Sequence, residues 1–136
     1  MAEEIQGLIC LDTSVLLDHF RKKNKDQTFF FKLSNNYKGF AVSVVVQYEV
    51  YSGSASTQIP IWNNLFEDFF IIPYSTSLNA IMITIEEDLK RKRRSIEFKD
   101  LIIAASSVLH KITLATINKK HFENIDGLQI ITPDSL

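Results

Sequence analysis

Asp12, Glu49 and Asp100 are the side chains of this sequence best placed to do chemistry. Asp12 closes the apolar run Leu8-Ile9-Cys10-Leu11 and is followed at once by Thr13, Ser14 and the helix-like stretch Val15-Leu16-Leu17. An acid where a buried parallel strand hands over to a helix lies in the crevice in which open α/β sheets bind their ligands. Glu49 and Asp100 occupy helix-edge settings, and three converging carboxylates make a cation site. Taken singly, each has a plainer reading. Asp12 can cap the first helix, Glu49 can sit on a solvated face, and Asp100 can offset the positive end of the helix that opens near Phe98.

The elements that must position these acids follow from periodicity. Residues 8–12 read as a short buried strand, and 13–20 as a helix whose Thr13 or Ser14 caps the first turn while Asp12 points into the crevice. The polar connector Lys22 to Gln27 leads to a second helix with Phe29, Phe30 and Leu33 on one face, ending near Asn35-Asn36. Phe40 to Val46 has the β-branched density of a strand, yet Ser43 equally suits the cap of a helix running to Gly53; we place the switch at Ser43. Residues 57–68 show helical spacing, and 70–74 are a short apolar run stopped by Pro73. The longest helical pattern runs from Ser75 to Arg94, with Leu78, Ile81, Met82, Ile85 and Leu89 on one face. Glu86–Lys90, Glu87–Arg91 and Asp88–Lys92 are favourably ordered i,i+4 pairs on it. A helix over 98–110, a strand over 112–115, a helical turn over 118–123 and a last strand over 128–131 complete the pattern. This alternation predicts a three-layer α/β/α sandwich around a mainly parallel sheet of about five strands, with residues 1–136 as a single domain.

Composition narrows the function classes. Hydrophobic residues at 46%, ten Phe, four Gly and three Pro describe a core-rich globule and exclude fibrous or disordered chains. A net charge of -1 gives no global attraction to nucleic acid, so any polyanion binding must be local. The one cysteine, Cys10, lies in a buried run and has no intrachain disulfide partner. With no stretch near the ~20 apolar residues that span a bilayer, and an acidic start Met1-Ala2-Glu3-Glu4, a cytoplasmic protein is expected, with no membrane partner.

The joint order of motifs is more specific than any single acid. Leu11-Asp12-Thr13-Ser14-Val15-Leu16, Tyr48-Glu49-Val50-Tyr51-Ser52-Gly53, Lys99-Asp100-Leu101-Ile102-Ile103-Ala104-Ala105 and Leu114-Ala115-Thr116-Ile117-Asn118-Lys119-Lys120-His121-Phe122 resemble, in order and spacing, the PIN-domain ribonucleases. The resemblance covers essentially the whole chain and is greatest to the small VapC-type toxins. It implies an endoribonuclease in which acids matching Asp12, Glu49 and Asp100 hold Mg²⁺ or Mn²⁺. Hard divalent ions prefer oxygen ligands, and Mg²⁺ takes one or two carboxylates while keeping waters for phosphate to displace. Asp12 and Asp100 are expected as principal ligands, with Glu49 as a third ligand or a water-orienting base. Thr13, Ser14, Thr116 and Asn118 are expected to supply hydrogen bonds to water, phosphate or the carboxylates. The resemblance also implies an antitoxin partner and a homodimer.

Several residues have two readings. Many members of the family carry a fourth acid where this chain has His121, which is either a metal or phosphate contact or a surface histidine. His19 and His110 sit on predicted helices without a ligand pattern. The run Lys90 to Arg94 is either a solvated helix end or an RNA phosphate clamp, with Lys92, Arg93 and Arg94 the candidates for contact. Trp62, Phe66, Phe69 and Phe70 read first as core and second as a dimer interface, and consecutive Phe29, Phe30 and Phe31 must leave one ring exposed. Two other functions remain in view. One is a non-catalytic PIN-like module binding RNA or protein. The other is a phosphoacceptor domain, which fits poorly because the third acid opens a helix rather than ending a central strand.

Overall fold

The predicted β1 forms over Leu8–Leu11 and becomes the central strand of a five-stranded, all-parallel sheet in a computed structural model that describes residues 7–136. The acidic N-terminal residues noted above lie outside the described part. The strand order is β3-β2-β1-β4-β5, with β2 over Gly39–Ser43, β3 over Phe70–Ile72, β4 over Leu114–Ala115 and β5 over Ile130–Ile131. Ile9 pairs with Phe40 of β2 on one side of β1, and Cys10 with Leu114 of β4 on the other. The chain winds outward through β2 and β3, then returns to build β4 and β5 on the opposite side of β1. The order reverses between β1 and β4, so the ligand crevice of this topology opens at their carboxyl ends.

Helices α1 (Thr13–Arg21), α2 (Phe29–Ser34), α3 (Val44–Ser52), α4 (Ile59–Phe66), α5 (Thr76–Arg91) and α6 (Phe98–His110) make the crossovers. Both faces of the sheet are therefore covered, which is why β1 reads as a continuous apolar run rather than an alternating one. Ser43 is the strand-to-helix switch: its hydroxyl accepts from Val45 N–H at 3.2 Å. Helix α6 is buried over every residue from Asp100 to Ser107. Its small residues Ala104, Ala105, Ser106 and Ser107 let it lie close inside the fold.

The structure trims several predicted elements. The long helix stops at Arg91 rather than Arg94, because Arg93 adopts φ 59° and Arg94 N–H turns back to Leu89 O at 2.8 Å. This is a Schellman stop built on an arginine instead of the usual glycine. Helix α6 ends the same way, with Lys111 at φ 56° and Ile112 N–H on Ser107 O at 3.0 Å. The last two strands keep only two residues each, and the helical turn near Asn118 is a single 3-10 turn over Lys119–His121. Of the three predicted i,i+4 pairs on α5, Asp88–Lys92 forms at 2.8 Å, and Arg91 pairs with Asp88 rather than Glu87. Trp62 and Phe66 belong to the core, and of the three consecutive rings Phe31 is the exposed one.

Candidate active site

The ends of β1 and β4 are fixed by the last rungs of the sheet. Asp12 N–H donates to Ala115 O at 3.0 Å, and Thr116 N–H donates to Ile131 O at 3.1 Å. Their side chains then meet across the crevice: the Thr116 hydroxyl donates to Asp12 Oδ2 at 2.8 Å. Ser14 donates to the same oxygen at 2.8 Å, and its own oxygen accepts from Ile117 N–H at 3.2 Å. Thr116 in turn accepts from Asn118 N–H at 2.9 Å. Asp12 stands at the N-cap of α1 by backbone, but its side chain makes no cap bond, and neither Thr13 nor Ser14 caps the helix as expected. These hydroxyls are spent on the acids instead.

Asp100 reaches the same cleft from the first turn of α6. Asp12 is 5% exposed and Asp100 6%, so two carboxylates share a mostly desolvated corner. Burial, and next the charge of Asp12, push the Asp100 carboxyl above its ordinary range, against the opposing pull of His121 and Lys99. His121 Nδ1 lies 3.1 Å from Asp100 Oδ2, so this histidine does face the site. On the other wall, Glu49 of α3 accepts from the Thr13 hydroxyl at 2.7 Å and pairs with Lys99 Nζ at 2.9 Å. Its hydrogen bond to Glu49 holds the Lys99 ammonium above its usual value.

The three acids, Thr13, Ser14, Lys99 and His121 line one cleft of about 520 Å³, joined by Asp18, Arg21, Lys22 and Asn118. Asp18 and Lys22 pair with each other at 3.0 Å. A divalent ion suits this place: among the described residues, one oxygen each of Asp12 and Asp100 is without a hydrogen-bond partner, and Mg²⁺ needs only one or two carboxylates beside its waters. Among the described residues no three His, Cys, Asp or Glu side chains are arranged to share one ion. Glu49 is therefore not gathered with the two aspartates into a three-acid cage.

The basic run divides. Lys92 spends its ammonium on Asp88, on Asp126 at 2.9 Å and on Asn124 O at 2.8 Å. Arg93 and Arg94 instead line a polar recess with Lys120, and His121 is common to that recess and the cleft. His19 and His110 are structural: His19 Nδ1 bonds the Thr28 hydroxyl at 2.6 Å, and the His110 ring packs edge-on to Phe70. Lys99 and Arg21 were not anticipated. A lysine in the first turn of a helix opposes the helix dipole, and that mismatch was the available signal that Lys99 has an acid elsewhere.

Residues 9–128 match the model of the PIN domain. Ribonuclease VapC1 of Methanocaldococcus jannaschii is 30% identical over 131 residues, which cover 94% of this chain and 90% of that protein. A toxin-antitoxin complex from Klebsiella pneumoniae contains a chain of the same fold, with TM-score 0.74, 26% identity, and coverage of 92% of this chain and 97% of that one. The DNA-bound VapBC from Salmonella typhimurium matches with TM-score 0.77 over 91% of this chain and 96% of that one, at 22% identity, a likeness of fold. In fold, motif order and sequence, the chain belongs to the PIN-domain family and is of the VapC ribonuclease type.

Proposed function

We propose that residues 1–136 act as a single nuclease domain that hydrolyses RNA phosphodiester bonds with Mg²⁺ or Mn²⁺, as the toxin of a toxin–antitoxin pair. The observation that carries this reading is the convergence of Asp12 and Asp100 at the β1/β4 switch point, with Asp12 held by Thr116 and Ser14. The similarity to a named ribonuclease and to a toxin-antitoxin complex supports the substrate class and the biological setting.

Asp12 and Asp100 would hold the ion through their free oxygens. When bound, it supplies the Lewis acidity that makes water nucleophilic near neutral pH and offsets charge on the phosphate. Thr116 and Ser14 fix the rotamer of Asp12. Glu49, clamped by Thr13 and Lys99, presents a carboxylate that orients water from the opposite wall. Arg21 at the cleft rim and Arg93, Arg94 and Lys120 in the adjoining recess draw the RNA backbone through local positive charge. Exposed Phe31, Ile61, Ile83 and Phe98 offer apolar surface for an antitoxin and a second copy of the chain. No helix among the described residues is long and apolar enough to cross a membrane.

The test is RNA cleavage by the chain after chelation and after return of Mg²⁺ or Mn²⁺. Loss on chelation and recovery with either ion supports the nuclease. If the chain binds RNA but fills no metal site at millimolar Mn²⁺, it is a non-catalytic module in which His121 has displaced a needed acid.

A further inference from the structure

We infer that Lys99 takes the place of a second cation beside Glu49, so that the cleft is built for one divalent ion, on Asp12 and Asp100. This deepens the reading above and rests on it.

The argument is one of charge and occupancy. Four carboxylates line the cleft, Asp12, Asp18, Glu49 and Asp100, and their charges are not evenly matched. Both oxygens of Glu49 are engaged, one by the Thr13 hydroxyl at 2.7 Å and the other by the Lys99 ammonium at 2.9 Å. Asp12 and Asp100 face no ammonium or guanidinium within ion-pair distance among the described residues, and His121 touches only one oxygen of Asp100. A lone lysine thus neutralises Glu49, and two uncompensated aspartates remain. One divalent ion balances them.

A second ion has neither charge nor ligands to receive it. Near Glu49 it would sit against the fixed Lys99 ammonium, and like charges in a half-desolvated cleft repel strongly. Near Asp100 the side chain available is His121, which adds no negative charge. The remaining charged lining residues do not change this balance, since Asp18 is paired with Lys22 and Arg21 is itself a cation. The chain position of Lys99 makes the arrangement economical. Adjacent residues on a helix face different directions, so Lys99 spans to α3 while Asp100 turns inward from the same first turn.

The experiment counts Mn²⁺ ions bound per full-length chain by electron paramagnetic resonance of free against bound ion, with the Asp12→Asn variant defining sites outside the cleft. We expect one Asp12-dependent ion in the wild type, two in Lys99→Met and one in Lys99→Arg. Lys99 is about half exposed, with 47% of its side chain accessible, so these variants should fold. Two ions in the wild type would show that Lys99 swings away and would overturn the inference while leaving a metal nuclease intact. A single ion in Lys99→Met would overturn it equally. No Asp12-dependent ion in any form would remove both the inference and the function on which it rests.

Discussion

Thr116 shows how much of this site is held by residues that need never touch substrate. It is fully buried, donates to Asp12 Oδ2 and accepts from Asn118 N–H, so it ties the β1 acid to the loop that carries His121. Partners that orient a metal ligand are typically worth ~10–100-fold in affinity or activity. Thr116→Val should therefore reduce Mn²⁺ affinity by about ten-fold or more, measured by titration on a chain whose circular dichroism is unchanged. An unaltered affinity would make Thr116 a packing residue only. Cys10 provides a contrast in the same strand. Burial pushes its thiol up to about 11, so at pH 8 only about one molecule in a thousand carries thiolate. Native protein should resist iodoacetamide at that pH and react once unfolded; rapid labelling of the folded chain would contradict the buried β1. At this scale, Asp12, Glu49, Asp100, Thr116, Asn118 and His121 were legible from motif order; the structure brings all but Thr116 to the lining of one cleft, and Thr116 is bonded to Asp12 from the buried side. Lys99 was not, because its partner lies fifty residues away on α3, and a lysine opposing the dipole of its own helix does not say which acid it meets.

Elements were legible where periodicity set them and illegible where their ends depended on backbone geometry. The prediction carried α5 to Arg94 because no glycine announces its stop, yet Arg93 takes the left-handed conformation there. Lys111 does the same at the end of α6. A non-glycine residue in that region costs roughly 1–2 kcal/mol, and glycine recovers this at a smaller entropic cost in the unfolded chain. Lys111→Gly should stabilise the protein by about 0.5 kcal/mol in urea unfolding. Destabilisation would mean that the lysine side chain contributes contacts outweighing the strain. Thr28 is a cap whose loss should be felt in the other direction. It is buried, accepts from Phe31 N–H at 3.1 Å, donates to Lys25 O at 3.0 Å and receives His19 Nδ1. Thr28→Ala should cost about 1–2 kcal/mol by the same measurement. The two-residue β4 and β5 were drawn two residues too long at their starts, because the runs that predicted them begin before the first paired residue.

The molecule as a whole places its acids by topology and its bases by surface. Alternating strands and helices gave the parallel sandwich from sequence, and the reversal of strand order between β1 and β4 explains why acids far apart in the chain share a crevice. The basic run was visible too, but the sequence could not separate Lys92, committed to Asp88 and Asp126, from Arg93 and Arg94 in the recess beside His121. If those arginines hold backbone phosphates, Arg93→Gln with Arg94→Gln should lower the salt slope of RNA binding by about 1–1.5 and leave Mn²⁺ affinity unchanged. An unchanged slope would place the RNA path elsewhere. The most direct test of the central claim is metal-restored RNA cleavage by Asp12→Asn and Asp100→Asn, each compared with wild type after chelation. The account predicts that each substitution lowers cleavage by more than about 100-fold, beyond the usual range for outer partners. Undiminished, chelator-sensitive cleavage by either variant would contradict it.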